Sequence, residues 1–376
     1  MAERIEFFVG DSLDVYENIA FEYGLLKSCP DDALRIFLWS NDRTVVIGKN
    51  QNAFSEVNLD ALKSIDGRLA RRLTGGGAVY HDRNNLNFTF VAKEGVYDIK
   101  KQLSVIVRSL EKWGIRAVVS GRNDILAEGR KFSGNAFLRE NGFGLHHGTV
   151  LINTDIEVMT RVLNVDKVKL DSKGVKSVSA RVLNLSELNG NIEKRALIEE
   201  IRSAAEEIYG MPAQEIKAAF NAENARMKAM LSSKEWLLNR VRDQSDGYIV
   251  RRARFDWGGV ELIYKQEAGR VKELFIFSDA MDAEEIVRIN KRLEGAFIAD
   301  FKPDGAMSRD IIRLFSAEVP PDTPQQSGAR KTVWKLFCLK ADRWAAPVST
   351  EAVFPPSRFF TARRRCVRCA KPRLSA

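Results

Sequence analysis

RRLTGGGAVYHD, residues 71–82, places two arginines, three consecutive glycines and a Tyr-His pair in one short stretch. Gly75, Gly76 and Gly77 let the backbone reach φ > 0 and approach a ligand without Cβ obstruction. Successive N–H groups in such a loop can form an anion-binding nest. A tight hairpin turn would use the same residues, and three glycines alone do not separate the two readings. The familiar nucleotide signatures are absent. No G-x-x-x-x-G-K-[ST] occurs, and the run does not make G-x-G-x-x-G. Arg72 adds a planar fork able to hold a phosphate or a carboxylate.

Outward from this loop the apolar pattern predicts strands in clusters. IEFFV (5–9), LRIFLW (34–39) and TVVIG (44–48) precede it, and NLNFTFVA (85–92) follows. Further short strands are expected at 115–119, 124–129 and 146–153. Helices are expected from a Ser12 cap to about Lys27, over 98–113 up to Gly114, and over 195–209. Clustered strands without strict βαβ alternation favour an α+β fold, with mixed or antiparallel sheets flanked by helices. With 376 residues, two domains are expected. Residues 1–247 form the larger unit, with a mostly helical polar connector at 210–247. Residues 248–317 read as a small α+β module, and 318–376 as a Pro/Ser-rich linker and a poorly ordered basic tail.

Downstream of the glycines, GRNDILAEGRKFSGNAF (121–137) has Asn123 and Asp124 opening a strand. Lys131 then follows in a Gly-Arg-Lys turn before small residues, Ser133 among them. That lysine can point its charge at a phosphate or a reacting carbonyl, or it is a solvated hairpin lysine. HHGTVLIN holds His146 and His147; with His81 they are the three histidines of the chain.

Charge says little about partners. Residues 326–376 carry 12 Lys/Arg and 2 Asp/Glu, so the formal +9 resides in the tail and the preceding 325 residues sum to −1. The tail lacks interleaved aromatics on a folded platform, and no nucleic-acid partner is expected. No apolar run approaches the ~20 residues of a membrane span. Glu3, Arg4 and Glu6 stand where a signal peptide would be apolar. A cytoplasmic protein is expected. Cys29, Cys338, Cys366 and Cys369 make no spaced disulfide framework, and CVRC (366–369) is a lone C-x-x-C.

RRLTGGGAVYHD, GRND with RKFSGNAF, and HHGTVLIN, in this order, closely resemble lipoate-protein ligase A of the biotin/lipoate ligase superfamily. DSLDVYENIAFE and FDWGGVEL match the family's other blocks, so the resemblance runs from about residue 5 to 317. It implies an enzyme that joins lipoate to a carrier lysine through lipoyl-AMP, with ATP and Mg²⁺ and no tightly bound prosthetic group. The carriers implied are lipoyl domains of 2-oxoacid dehydrogenase acyltransferase subunits and the glycine cleavage H protein. A monomer is expected. By resemblance Arg72 and the Gly75, Gly76, Gly77, Ala78, Val79 and Tyr80 loop hold the adenylate. Lys131 matches the motif lysine that contacts both the adenylate phosphate and the lipoyl carbonyl. Asp124 is the candidate Mg²⁺ contact, since one carboxylate plus substrate phosphates is the usual magnesium arrangement; a strand-start cap is the other reading. His81, Asn123, Ser133 and His147 are expected to line the pocket. Trp39 and Val46 reach the lipoyl tail or simply belong to the core.

Thr74 stands where family patterns often have Ser. The alternative function is a lipoyl or octanoyl transferase without its own adenylation. A covalent acyl-enzyme needs a cysteine, and residues 60–200 contain none.

Overall fold

The computed structural model describes residues 2–121, 123–164, 181–238 and 247–316. The expected linker and tail, CVRC included, and nearly all of the polar stretch 240–247 lie outside the described residues. In chain order the strands are β1 (Arg4–Val9), β2 (Ala33–Trp39), β3 (Thr44–Ile47), β4 (Arg68–Arg71) and β5 (Val79–His81). Then come β6 (Asn85–Lys93), β7 (Ala117–Ser120), β8 (Asp124–Ala127), β9 (Arg130–Glu140), β10 (Phe143–Leu151) and β11 (Ala213–Glu215). The last three are β12 (Ile249–Phe255), β13 (Gly258–Glu267) and β14 (Arg270–Ser278). They form an eight-stranded sheet of order β11-β1-β2-β6-β10-β9-β8-β7, a small sheet β4-β3-β5, and a separate meander β12-β13-β14. In the large sheet β1 runs parallel to β2 and β11, and the other pairs are antiparallel. The fold is α+β with a mixed sheet, as the strand clusters predict.

β6 shows how sequence builds this sheet. Successive side chains of a strand face opposite sides. Leu86, Phe88, Phe90 and Ala92 join one apolar core with Ile36, Leu38 and the helices Ile99–Arg108 and Lys194–Tyr209. Asn85, Asn87 and Thr89 alternate with them. Val91, in the same alternate set, packs with the helix Val15–Lys27 in a second core. One strand thus supplies an apolar wall and a polar one.

Several boundaries differ from expectation for physical reasons. The first helix is capped by Asp14, whose carboxylate accepts Tyr16 N–H at 2.9 Å, while Ser12, two residues earlier, accepts Asp14 N–H. An acid at that position also complements the helix dipole. The expected turn around Lys131 is an eleven-residue strand, β9. The turn lies just before it, at Glu128 and Gly129, both at positive φ as a two-residue hairpin requires. Pairing with β8, where Ser133 faces Ile125 and Gly134 faces Asp124, overrides the weak strand preference of these two residues. The connector is less helical than expected: β11 precedes the helices Ala222–Leu231 and Lys234–Leu237.

The meander packs with helices Ala283–Leu293 and Ala306–Ser316 around its own apolar cluster, including Leu262, Tyr264, Ile276, Ile286 and Ile311. Among the described residues no helix is long and apolar enough to cross a membrane.

Gly24, inside the first helix, is a packing requirement. A Cβ there would overlap Nδ2 of buried Asn224. Asn224 cannot swing away cheaply, because it donates to Ala20 O at 3.1 Å and closes a capping box with Asn221. Gly24→Ala should therefore destabilise by about 1–3 kcal/mol, even though alanine gains up to ~1 kcal/mol of helix propensity. Urea denaturation should show a lower midpoint at unchanged slope. An unchanged midpoint would show that the helix pair yields instead.

Candidate active site

A cavity of about 250 Å³ opens between the large sheet, the glycine loop and the C-terminal module. Trp39, Asn87 and Thr149 occupy one cross-strand row through β2, β6 and β10 and form its floor. Val46 lies beside Trp39. Both belong to the core, as one of the two sequence readings has it, and both also line the cavity. Gly76, Gly77, Ala78 and Val79 line one side, Asn123, Asp124 and Lys131 another, with His81, His147 and Arg72 between. Gly75, Tyr80 and Ser133 are not in the lining. Gly75 packs on the backbone of Ala280 and Met281; Tyr80 and Ser133 are buried.

A buried chain of hydrogen bonds sets the glycine loop. Arg72 is 6% exposed, and burial pushes its guanidinium down to about 10. It donates to Gly75 O at 2.6 Å, Gly77 O at 2.8 Å, Val46 O at 3.2 Å and Thr74 Oγ1 at 3.0 Å. Its fork thus organises the loop's own carbonyls while its charge borders the cavity. Thr74 Oγ1 is 2.9 Å from His147 Nε2, and His147 Nδ1 is 2.8 Å from buried Glu22. A carboxylate only accepts, so Nδ1 carries the proton, Nε2 accepts from Thr74, and Thr74 in turn accepts from Arg72. Glu22 also takes the Thr89 hydroxyl at 2.6 Å, and Thr89 takes the Trp39 indole N–H at 3.0 Å. Thr74, His147 and Glu22 have the order of a nucleophile, base and acid. Thr74 is 1% exposed and outside the lining, so the set positions rather than attacks.

Of the glycines in the run, Gly76 takes positive φ (+88°), and a Cβ there would meet Arg72 Nη2 at 2.9 Å. Its N–H, a candidate nest donor, donates to Ala280 O of the module at 3.0 Å. The module is further tied down by Ser278 N–H to Asn50 O at 2.9 Å, Asn52 to Glu261 at 2.9 Å, and an ion pair of Lys49 with Glu284.

On the opposite hairpin Lys131 Nζ is 2.6 Å from Asp124 Oδ1, and Arg181 is 3.2 Å from Oδ2. A Cβ at Gly134 would lie 2.6 Å from Lys131 Nζ, so this glycine lets the lysine fold across its own strand. Asn123 and Asn135 bond reciprocally to each other's carbonyls at 3.1 Å and pin β8 to β9 beside them.

His81 accepts Asn41 Nδ2–H on Nδ1 at 2.9 Å, and among the described residues its buried Nε2 has no hydrogen-bond partner; neither has Asn87 Nδ2. Both residues line the cavity, where a bound acceptor would satisfy them. Asn87, Asn135 and Thr149, and from the module Arg254, Trp257, Gly258, Asp279 and Met281, also line it and escaped sequence reasoning. The polar half of NLNFTFVA could have indicated Asn87. Cys29 is buried away from the cavity, its thiol pushed up to about 11 by burial.

The family model of the lipoyl protein ligase A/B catalytic domain matches residues 14–207, and that of the bacterial lipoate protein ligase C-terminus matches 248–300. The chain belongs to the lipoate-protein ligase family. Among solved structures it is similar to P. falciparum LipL1 in complex with lipoate, at 27% identity over 83% of this chain and 99% of that one, with a TM-score of 0.72. It is also similar to a bi-partite lipoate protein ligase from Thermoplasma acidophilum, studied with its E2 lipoyl domain. That match has 27% identity, 65% and 98% coverage, and a TM-score of 0.55. A lipoate-protein ligase A bound with ATP matches at 25% identity, 64% and 100% coverage, and a TM-score of 0.54.

Two outcomes test this site. Thr74→Val removes the hydroxyl but keeps the shape, leaving Arg72 Nε and His147 Nε2 without their shared partner. A loss of stability of about 1–3 kcal/mol is expected, and Thr74→Ser should retain it. Urea denaturation decides it; equal midpoints for Val and Ser would show that the hydroxyl does not hold the loop. The second concerns pH. Burial, then Arg72 and His147, pushes His81 down to about 3, and burial with His147 does the same to His146. Unfolded histidine titrates near 6.5, so only the unfolded state gains protons as pH falls below that value. Stability is full above about 6.5 and declines toward 3, by roughly 3 kcal/mol for the two together between pH 7.5 and 5.5. Equal urea midpoints at those two pH values would show that neither histidine stays neutral in the fold.

Proposed function

We propose that this protein joins lipoate to a lysine of lipoyl domains in two steps driven by ATP. Lipoate and ATP give lipoyl-AMP and pyrophosphate, and the acyl group then passes to the lysine ε-amine with release of AMP. The observation that carries this reading is one cavity in which an apolar wall meets cationic groups. Ile19, Trp39 and Val46 provide the wall; Lys131, Arg181 and the Arg72-braced loop provide the charge. A lipoyl tail and a phosphate anhydride need those two surroundings side by side. Similarity to a lipoate-bound, an ATP-bound and an E2-lipoyl-domain-associated ligase supports it.

In the first step two anions must meet, so fixed positive charge and orientation matter most. Lys131 offsets charge on the lipoyl carbonyl oxygen and the α-phosphate. Asp124 holds Lys131 in place until the phosphate arrives. Glu22, His147 and Thr74 keep the loop in shape while Gly77, Ala78 and Val79 face the nucleotide. Among the described residues no group of three or more Asp, Glu, His or Cys could hold a metal ion. Asp124 already meets Lys131 and Arg181 with its two oxygens. A magnesium ion brought with the triphosphate would need one carboxylate beside the substrate phosphates, and Asp124 is the residue that would supply it; no step is routed through the ion.

The transferase alternative through a cysteine acyl-enzyme is disfavoured by the burial and raised pKa of Cys29. Lys131→Ala should lower lipoylation of a lipoyl domain roughly 10²–10³-fold with the melting temperature retained. Intact-mass measurement of the carrier, with and without ATP, reads both. Near-parental modification by the variant, or modification by the parent without ATP, would overturn the reading.

A further inference from the structure

The C-terminal module brings a cation to the cavity that the steps above do not use. Arg254, on β12, lines the cavity with Trp257, Asp279 and Met281. Its position is built by the fold. Arg254 pairs across the meander with Gly259, and a Cβ there would lie 3.2 Å from Arg254 Nη1. Glycine therefore lets the guanidinium lie over the neighbouring strand. Asp279 Oδ2 is 3.5 Å from Nη1, and Asp279 Oδ1 is fixed by Gly259 N–H at 2.7 Å. The next residue, Ala280, is the one that receives Gly76 N–H. The turn that steers Arg254 is thus the turn that touches the glycine loop.

The other cations at the cavity have defined surroundings. Arg72 is engaged by loop carbonyls, and Lys131 and Arg181 meet Asp124. Arg254 reaches the cavity from the module, with its side chain 27% exposed. A triphosphate held by Lys131 at its α-phosphate would still leave its two outer phosphates to be met.

We propose that Arg254 binds the β- and γ-phosphates of the nucleoside triphosphate and holds pyrophosphate as it leaves, in the first half-reaction only. The assignment rests on the proposed function. In that half-reaction a lipoate carboxylate oxygen bonds to the α-phosphorus. The bond from that phosphorus to its bridging oxygen breaks, and the electron pair departs with pyrophosphate. Negative charge grows on the leaving oxygens, where a planar fork binds two at once. The second half-reaction expels AMP and contains no pyrophosphate, so it makes no demand on Arg254. The FDWGGVEL block then has a chemical reason. Gly258 and Gly259 clear space for the Asp279 turn and for the guanidinium, since a Cβ at Gly258 would lie 3.0 Å from Asp279 Oδ1 and from Ala280 N.

The test uses the full chain and two assays. One follows lipoate-dependent exchange of labelled pyrophosphate into ATP. The other follows single-turnover transfer from chemically prepared lipoyl adenylate to a lipoyl domain. Arg254→Gln should lower exchange roughly 10²-fold and raise KM for ATP, while transfer and melting temperature stay near parental. Arg254→Lys should recover part of the exchange. Exchange by Arg254→Gln at the parental rate, or equal loss of both half-reactions, overturns the assignment. A parent that transfers preformed adenylate but shows no exchange would overturn the ATP-dependent reading itself, and this assignment with it.

Discussion

The chain of bonds from Glu22 through His147 and Thr74 to Arg72 ties the first helix, the large sheet and the glycine loop into one body. Every donor in it is determined by its neighbour. Glu22 fixes the His147 tautomer, which sets the direction of the Thr74 hydroxyl, which receives Arg72. A buried polar network of this kind is stabilising only when all members are satisfied, and it then specifies one geometry. The loop has three glycines and little intrinsic shape. Its shape comes from a guanidinium that bonds two of its carbonyls from inside.

That constraint explains the division of labour around the cavity. Arg72 holds the loop from within and Ala280 holds it from the module side. The opposite wall is a hairpin whose lysine is drawn toward a carboxylate flanked by a second cation. In the proposed reaction an entering phosphate would exchange one anion for another at Lys131, so the positive charge need not be buried unpaired beforehand. The module joins the wall through its turn at 279–281. A change in its docking would therefore alter both the Gly76 N–H and the position of Arg254.

Much of this was legible in the sequence because it rests on local rules. The alternation in NLNFTFVA predicts β6, and the apolar runs 5–9 and 34–39 predict β1 and β2. Gly114, at positive φ, ends the helical stretch as expected. The spaced blocks around Arg72, Lys131 and His147 mark residues that the fold gathers at one cavity. The strand character of 130–140 was hidden, because Ser133 and Gly134 resemble a turn when read alone. Their strand pairing comes from β8, across the hairpin. Asn87 and Thr149 were missed because a polar residue in a strand usually faces water. Here both lie in a row with Trp39.

By itself the sequence determined the α+β class, the order of most strands, the glycine loop and the lysine that faces it. These depend on periodicity, on the conformational freedom of glycine and on residue types close together along the chain. Only the tertiary structure decided what Arg72 touches, which tautomer His147 takes, and that a module more than 170 residues beyond the loop supplies Arg254 and Met281 to the same cavity. Those facts depend on which elements pack together. A guanidinium has the same fork whether it grips a phosphate or three backbone carbonyls, and packing alone selects between them.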